Sequence, residues 1–210
     1  MGGVKLDEVL AEVARQNLGL EAEAALARLP RFPLNLGIIK MVMINEVAAE
    51  DPGDDFYGTD NSEYLASTRY LFEKAGLKLA DGRAFAELGI YLTNALKTPK
   101  IGTVVDPAAL RQQAPLLGAE LKLFPDLKVI MLMGDVAKKA MNLIAKSETG
   151  KPALPSGSTY KLRHESFFYK GLRLMPAYIM TGPNLRIEKS KTEMNAEEIA
   201  KMLAIIQGRP

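Results

Sequence analysis

A chain of 210 residues, 48% hydrophobic and 25% charged, carries enough apolar material for one globular domain with a sizeable core. Cysteine is absent and His164 is the single histidine, which excludes disulfides, thiolate nucleophiles, iron–sulfur clusters and histidine-rich metal sites. Net charge is +2, too small to announce a nucleic-acid partner, yet its distribution is uneven. Between Lys151 and Thr192 the bases Lys151, Lys161, Arg163, Lys170, Arg173, Arg186, Lys189 and Lys191 face only Glu165 and Glu188. That stretch suits phosphates, or is a solvated basic face. The apolar runs around Gly37 to Ile44 and Val129 to Met133 are far shorter than a membrane span, and Asp7, Glu8 and Glu12 stand where a signal peptide would be basic. A cytoplasmic protein with no membrane partner is expected.

In chain order, residues 1–30 read as a helical segment: Leu6, Val9, Leu10 and Val13 lie at helical spacing, a hairpin spans Lys5 to Leu29, and Leu29-Pro30 closes it. The near-continuous apolar run Gly37 to Asn45 predicts a strand buried on both faces. Glu46 to Asn61, rich in Asp, Gly and Pro, has no period and reads as a long functional loop. Asn61-Ser62 starts a helix through Ala75 that Gly76 stops, and a strand follows at Gly89 to Ala95. Asp106-Pro107 predicts a capped helix to Phe124. A third strand, Val129 to Met133, runs through Gly134 into a helix to about Ala145. The fourth is Leu172 to Tyr178, and Asn195 is expected to cap a last helix over 195–207. The alternation predicts one α/β domain over residues 1–210, three layers α/β/α around a four-stranded, mainly parallel sheet.

Ligands of such sheets bind outside the carboxyl ends of the strands, which directs attention to Asn45-Glu46, Asn94, Gly134-Asp135 and Tyr178 to Thr181. Glu46, the first acid after an apolar run, can orient or deprotonate a water, or can cap the loop. In Phe56-Tyr57-Gly58 an aromatic ring can stack on a planar ligand or pack onto the core. The Asn94 carboxamide offers one acceptor and two donors, enough to read a pyrimidine edge, although Asn also forms turns. Neither Met133-Gly134-Asp135 nor Gly182-Pro183-Asn184 has the glycines of a nucleotide loop, so no cofactor is expected.

Met43-Ile44-Asn45-Glu46, Phe56-Tyr57-Gly58, Phe72 to Leu77 and Tyr91-Leu92-Thr93-Asn94-Ala95-Leu96-Lys97 occur in the order seen in uracil-DNA glycosylases. Leu123 to Gly134 followed by Ala137 is similar to the later strand-glycine-helix block of that superfamily, especially its thermophilic iron–sulfur branch. The resemblance spans roughly Gly37 to Lys191, within a family-like core of 37–192. It implies a base-excision DNA glycosylase that flips a base out of the stack, with Glu46 orienting water, Phe56 stacking on uracil and Asn94 reading its edge, in a base site with Asn45 and Tyr57.

The chain departs from the family at Pro176 to Met180, where Ile179 or Met180 occupies the position of the catalytic histidine; His164, some residues earlier, reads as a loop histidine. The cluster-bearing branch is excluded by the missing cysteines. Departing uracil gains negative charge, and loss of one donor to such a charge costs roughly 3 to 4 kcal/mol in comparable sites. Thr181, Asn184 and the backbone N–H groups around Thr181-Gly182 are the candidate replacements. Thr181 to Arg186, containing Pro183, resembles the loop that enters the duplex, with Leu185 as wedge and Arg186, Lys189 and Lys191 on phosphates; an ordinary surface turn is the alternative. The expected protein is a monomeric, metal-free hydrolase acting on DNA that carries uracil or a related damaged base. A non-catalytic nucleobase or nucleic-acid binding module, and a small-molecule enzyme using the same pocket, are the alternatives.

Overall fold

The computed structural model describes residues 3–102, 104–181, 185 and 187–208. Among these residues five strands form one sheet: β1 (Met41–Val47), β2 (Ile90–Leu96), β3 (Val129–Met133), β4 (Phe167–Tyr169) and β5 (Leu172–Ala177). Their order is β2-β1-β3-β5-β4, with all pairs parallel except β4 with β5. The four expected strands are present, and the fifth corrects the count. It is only three residues long, too short for a readable alternation in sequence; Lys170 and Gly171, which join it to β5, both have positive φ, 48° and 83°, which fits the tight turns that join antiparallel strands.

Both faces of the sheet are covered, and the period-2 alternation of the strands decides what meets what. Val42 and Ile44 of β1, Tyr91 of β2 and Ile130 and Leu132 of β3 pack in one cluster with α1 (Leu6–Leu18), α5 (Pro107–Lys122) and α6 (Asp135–Thr149). Met41 and Met43, Leu92, and Met131 and Met133 point the other way, toward α3 (Glu63–Lys74), α4 (Gly82–Glu87) and α8 (Lys189–Ile206). The short helices α2 (Ala22–Leu26) and α7 (Thr159–Leu162) complete the fold. No described helix is long and apolar enough to cross a membrane.

Local signals account for several element ends. Ser62 accepts from Leu65 N at 3.2 Å to cap α3, and Asp106 accepts from Ala108 N at 2.8 Å ahead of Pro107 at the start of α5. Three expectations need correction. Residues Leu36–Ile38 form a 3₁₀ turn and β1 begins only at Met41, so Glu46 lies within the strand rather than after it. The buried face of α1 runs through Leu6, Leu10, Ala14 and Leu18, leaving Val9 exposed. Asn195 caps nothing: α8 starts at Lys189, and Asn195 sits inside it with its side chain on the Tyr178 backbone, accepting from Tyr178 N at 3.0 Å. The amide does the work of an additional strand partner, tying α8 to the exit of β5.

Candidate active site

Successive strands leave β1 in opposite directions, β2 to one side and β3 to the other, so a crevice opens where their carboxyl ends diverge. A cleft of about 450 Å³ lies there, lined by Glu46 of β1, Gly134 at the end of β3, Ile179 and Thr181 after β5, Tyr160 of α7 and Lys191 of α8. Its volume is in the range of small-ligand sites.

Glu46 is held in the cleft by the backbone of α6. Its Oε1 accepts from Val136 N at 3.0 Å, in the first turn of α6, where backbone N–H groups have no helical partner and favour an anion. Gly134 carries φ +96°, and a Cβ there would meet Glu46 Oε1 at 2.2 Å and Ile179 Cγ1 at 2.7 Å. Glycine is therefore what lets the carboxylate lie flat over the β3–α6 turn.

Asn45 and Asn94 stand opposite each other in the β1–β2 register, at the same end of the sheet as Glu46. They do not share its cleft. One residue separates Asn45 from Glu46, and one residue along a strand is the opposite face, so the two amides point toward α3 while Glu46 points toward α6. There the amides are hydrogen-bonded internally. Asn94 Nδ2 donates to Asp55 Oδ1 at 2.9 Å and Oδ2 at 3.2 Å, and Asn94 Oδ1 accepts from Asn45 Nδ2 at 3.0 Å. Thr181 joins the two sides: it lines the cleft and its hydroxyl donates to Asn45 Oδ1 at 3.2 Å. Its proton is thus committed to Asn45 and not to a leaving group.

Phe56 is buried among Phe72, Phe85 and Leu65, with its ring 5.4 Å from Tyr64, and does not line the Glu46 cleft. Tyr57 stacks on Tyr91 at 6.1 Å and does not line the Glu46 cleft; its hydroxyl accepts from Leu92 N at 3.1 Å, and burial pushes its pKa well up. Burial likewise raises Tyr64, whose hydroxyl donates to Val47 O at 3.0 Å. Of the two residues at the family's histidine position, Ile179 faces the cleft and is 46% exposed, whereas Met180 is fully buried.

Leu185 lines the cleft but is buried in the hydrophobic cluster, so in this conformation it packs inward rather than standing out as a wedge. Lys189 is exposed at the start of α8. Lys191 lies 5.6 Å from the centre of the Tyr178 ring and is ion-paired with Glu188. Pro183, Asn184 and Arg186 lie outside the described residues.

Tyr178, at an expected strand end, lines the cleft, as do Ser158, Thr159 and Tyr160, which sequence did not single out. The Gly157-Ser158-Thr159 segment carries no chemical motif. Behind it, buried Lys138 donates to Gly157 O at 3.3 Å and Thr159 Oγ1 at 3.2 Å and pairs with Asp135 at 2.8 Å, fixing α7 to the first turn of α6. No group of acids and histidines among the described residues is arranged to hold a metal ion. Neither a protein-family model nor a curated protein matches the chain.

Proposed function

We propose that the protein is a divergent member of the uracil-DNA glycosylase superfamily that hydrolyses the N-glycosidic bond of a nucleobase presented to the Glu46 cleft. The observation that carries this reading is the Glu46 carboxylate, held on the Val136 N–H at the strand-divergence crevice. In the reaction the C1′–N bond breaks with its electron pair leaving on the base, and the sugar becomes oxocarbenium-like. A fixed carboxylate stabilises that cation, orients a water toward C1′ and takes its proton. The leaving base needs a donor. With Ile179 in the cleft, the Thr181 hydroxyl turned to Asn45 and Lys191 ion-paired with Glu188, Ser158, Tyr160 and Tyr178 are residues on its walls that carry a hydroxyl to donate. Single-turnover assays on DNA carrying uracil, hypoxanthine, xanthine or thymine mismatches test the reading; no cleavage of any of them at high enzyme concentration rejects it.

A second reading, a nucleobase or nucleic-acid binding module without catalysis, is favoured by a different observation: Ile179, which can donate no hydrogen bond, faces the cleft at the position matched to the family's catalytic histidine. It forecasts DNA or base affinity that survives Glu46→Gln, with no turnover in either form.

A further inference from the structure

Four donors converge on one buried carboxylate at the end of β2. Asp55 Oδ1 accepts from Phe56 N at 2.8 Å and Asn94 Nδ2 at 2.9 Å. Its Oδ2 accepts from Ala49 N at 3.2 Å, Asn94 Nδ2 at 3.2 Å and Arg28 Nη1 at 3.3 Å. Asp55 is 1% exposed, Asn94 2% and Arg28 8%.

This cradle is held by groups other than its occupant. The Asn94 amide is oriented by Asn45, which is oriented in turn by Thr181, so its NH₂ faces Asp55 whatever stands there. The loop that carries the backbone donors is also closed without the Asp55 carboxylate. Asp51 accepts from Gly53 N at 2.7 Å, Thr59 N donates to Gly53 O at 3.1 Å, and Gly58 is so tightly turned that a Cβ would meet Pro52 O at 2.3 Å. Phe56 and Tyr64 pin its middle. The Asn94 amide and the 51–59 loop that carries Phe56 N–H are thus fixed without the carboxylate, and together with Ala49 N–H they point inward at one spot, as donors do in a ligand site.

We infer that Asp55 is a specificity-determining residue: its carboxylate fills a preformed acceptor-reading site made by Asn94 and the N–H groups of Ala49 and Phe56, and so denies that site to the carbonyl edge of a nucleobase. Arg28, from the end of the N-terminal helical segment, holds it there. The inference rests on the nucleobase reading for its choice of ligand class, but not on catalysis. It accounts for the closed state of the reading amide, which strand parity places on the face opposite the Glu46 cleft.

Thermal unfolding of the full chain tests it, with free uracil as probe and formate as a carboxylate replacement. Asp55→Ala is expected to melt below wild type and to recover by at least about 2 °C in saturating uracil, while wild type does not move. Should the orphaned Arg28 keep that variant from folding, Arg28→Leu with Asp55→Ala removes the unpaired cation and is measured in its place. No uracil shift, an equal shift in wild type, or a shift with formate but none with uracil each overturns the inference, the last because the cradle is then a carboxylate cap alone. So does failure of both variants to fold even when refolded in uracil, since an independently built site would refill. Neither probe contains a glycosidic bond, so an inactive wild-type enzyme leaves this result standing, and an active one does not supply it.

Discussion

The carboxylate of Glu46 rests on the bare Cα of Gly134, with room for no methyl group between them. Gly134→Ala therefore has two costs. The φ of +96° is strained for any residue with a side chain, and the added Cβ would push into Oε1. We expect a loss of about 1–3 kcal/mol in urea unfolding, and loss of whatever activity depends on Glu46. Unfolding that matches wild type, with activity intact, would show that the carboxylate has somewhere else to go.

Glu46→Gln separates chemistry from architecture. The amide oxygen can still accept from Val136 N, so stability should change by no more than about 0.5 kcal/mol, while single-turnover cleavage should disappear. The cleft-facing position of Ile179 makes Ile179→His the informative gain-of-function change; Met180→His buries an imidazole in the core and should only destabilise. A rate increase in Ile179→His that Glu46→Gln removes ties both residues to one transition state. If both single variants and wild type are equally inactive, the binding-module reading gains.

The strands were legible in the sequence because parallel strands covered on both faces need continuous apolar runs, and Val129–Met133 ends where its run ends. The cleft was only half legible. Strand-end placement brought Glu46 and Thr181 together, but grouping Glu46 with Asn94 ignored that adjacent residues of a strand face opposite sides. Position in a motif carries no information about which face an amide reaches until the register is known. Asp55 was invisible for another reason: nothing in an Asp-rich loop distinguishes the one acid that turns inward from Asp51 and Asp54, which stay at the surface.

On the other side of the sheet, Lys97 and Glu120 form a buried ion pair at 2.6 Å, and Thr93 and Tyr91 donate to the same carboxylate. Removing the cation by Lys97→Met leaves Glu120 charged and unpaired in the core, at a cost of about 3–5 kcal/mol. Adding Glu120→Leu should recover much of that, though not all, because the two hydroxyls lose their acceptor. A double variant as unstable as Lys97→Met alone would argue against charge desolvation as the cause.

If DNA is the partner, the exposed Lys189 should contact phosphate more strongly than Lys191, which is already paired with Glu188 and lies over Tyr178. Lys189→Glu is expected to weaken binding to all sequences alike and to lower the slope of log affinity against log salt by about 1. Fluorescence anisotropy at several salt concentrations reads both. Absence of DNA binding by wild type at low salt removes DNA as the partner.

Acid stability should depend on Glu148, at the last turn of α6, which joins two other elements. It pairs with Lys122 of α5 at 2.7 Å and accepts from Lys170 and Tyr169 of the β4–β5 hairpin at 2.5 Å each. These bonds, that from Lys122 foremost, hold its pKa down at about 2 against an ordinary 4.5. A carboxyl whose folded value lies below its unfolded value binds fewer protons in the native state. Its stabilisation is therefore complete above about pH 5 and is lost as pH falls through about 2, below which both states are protonated. Both lysine side chains are more than half exposed, so solvent screening limits the contribution to about 1 kcal/mol or less, and salt should shrink it further. Urea midpoints measured from neutral pH down to the acid limit should fall more steeply for wild type than for Glu148→Gln across that window, the two curves converging at its lower end. Parallel curves would mean that the hairpin and α5 are held by packing alone, through Tyr169, Phe167 and Leu172, without help from the charge that links them.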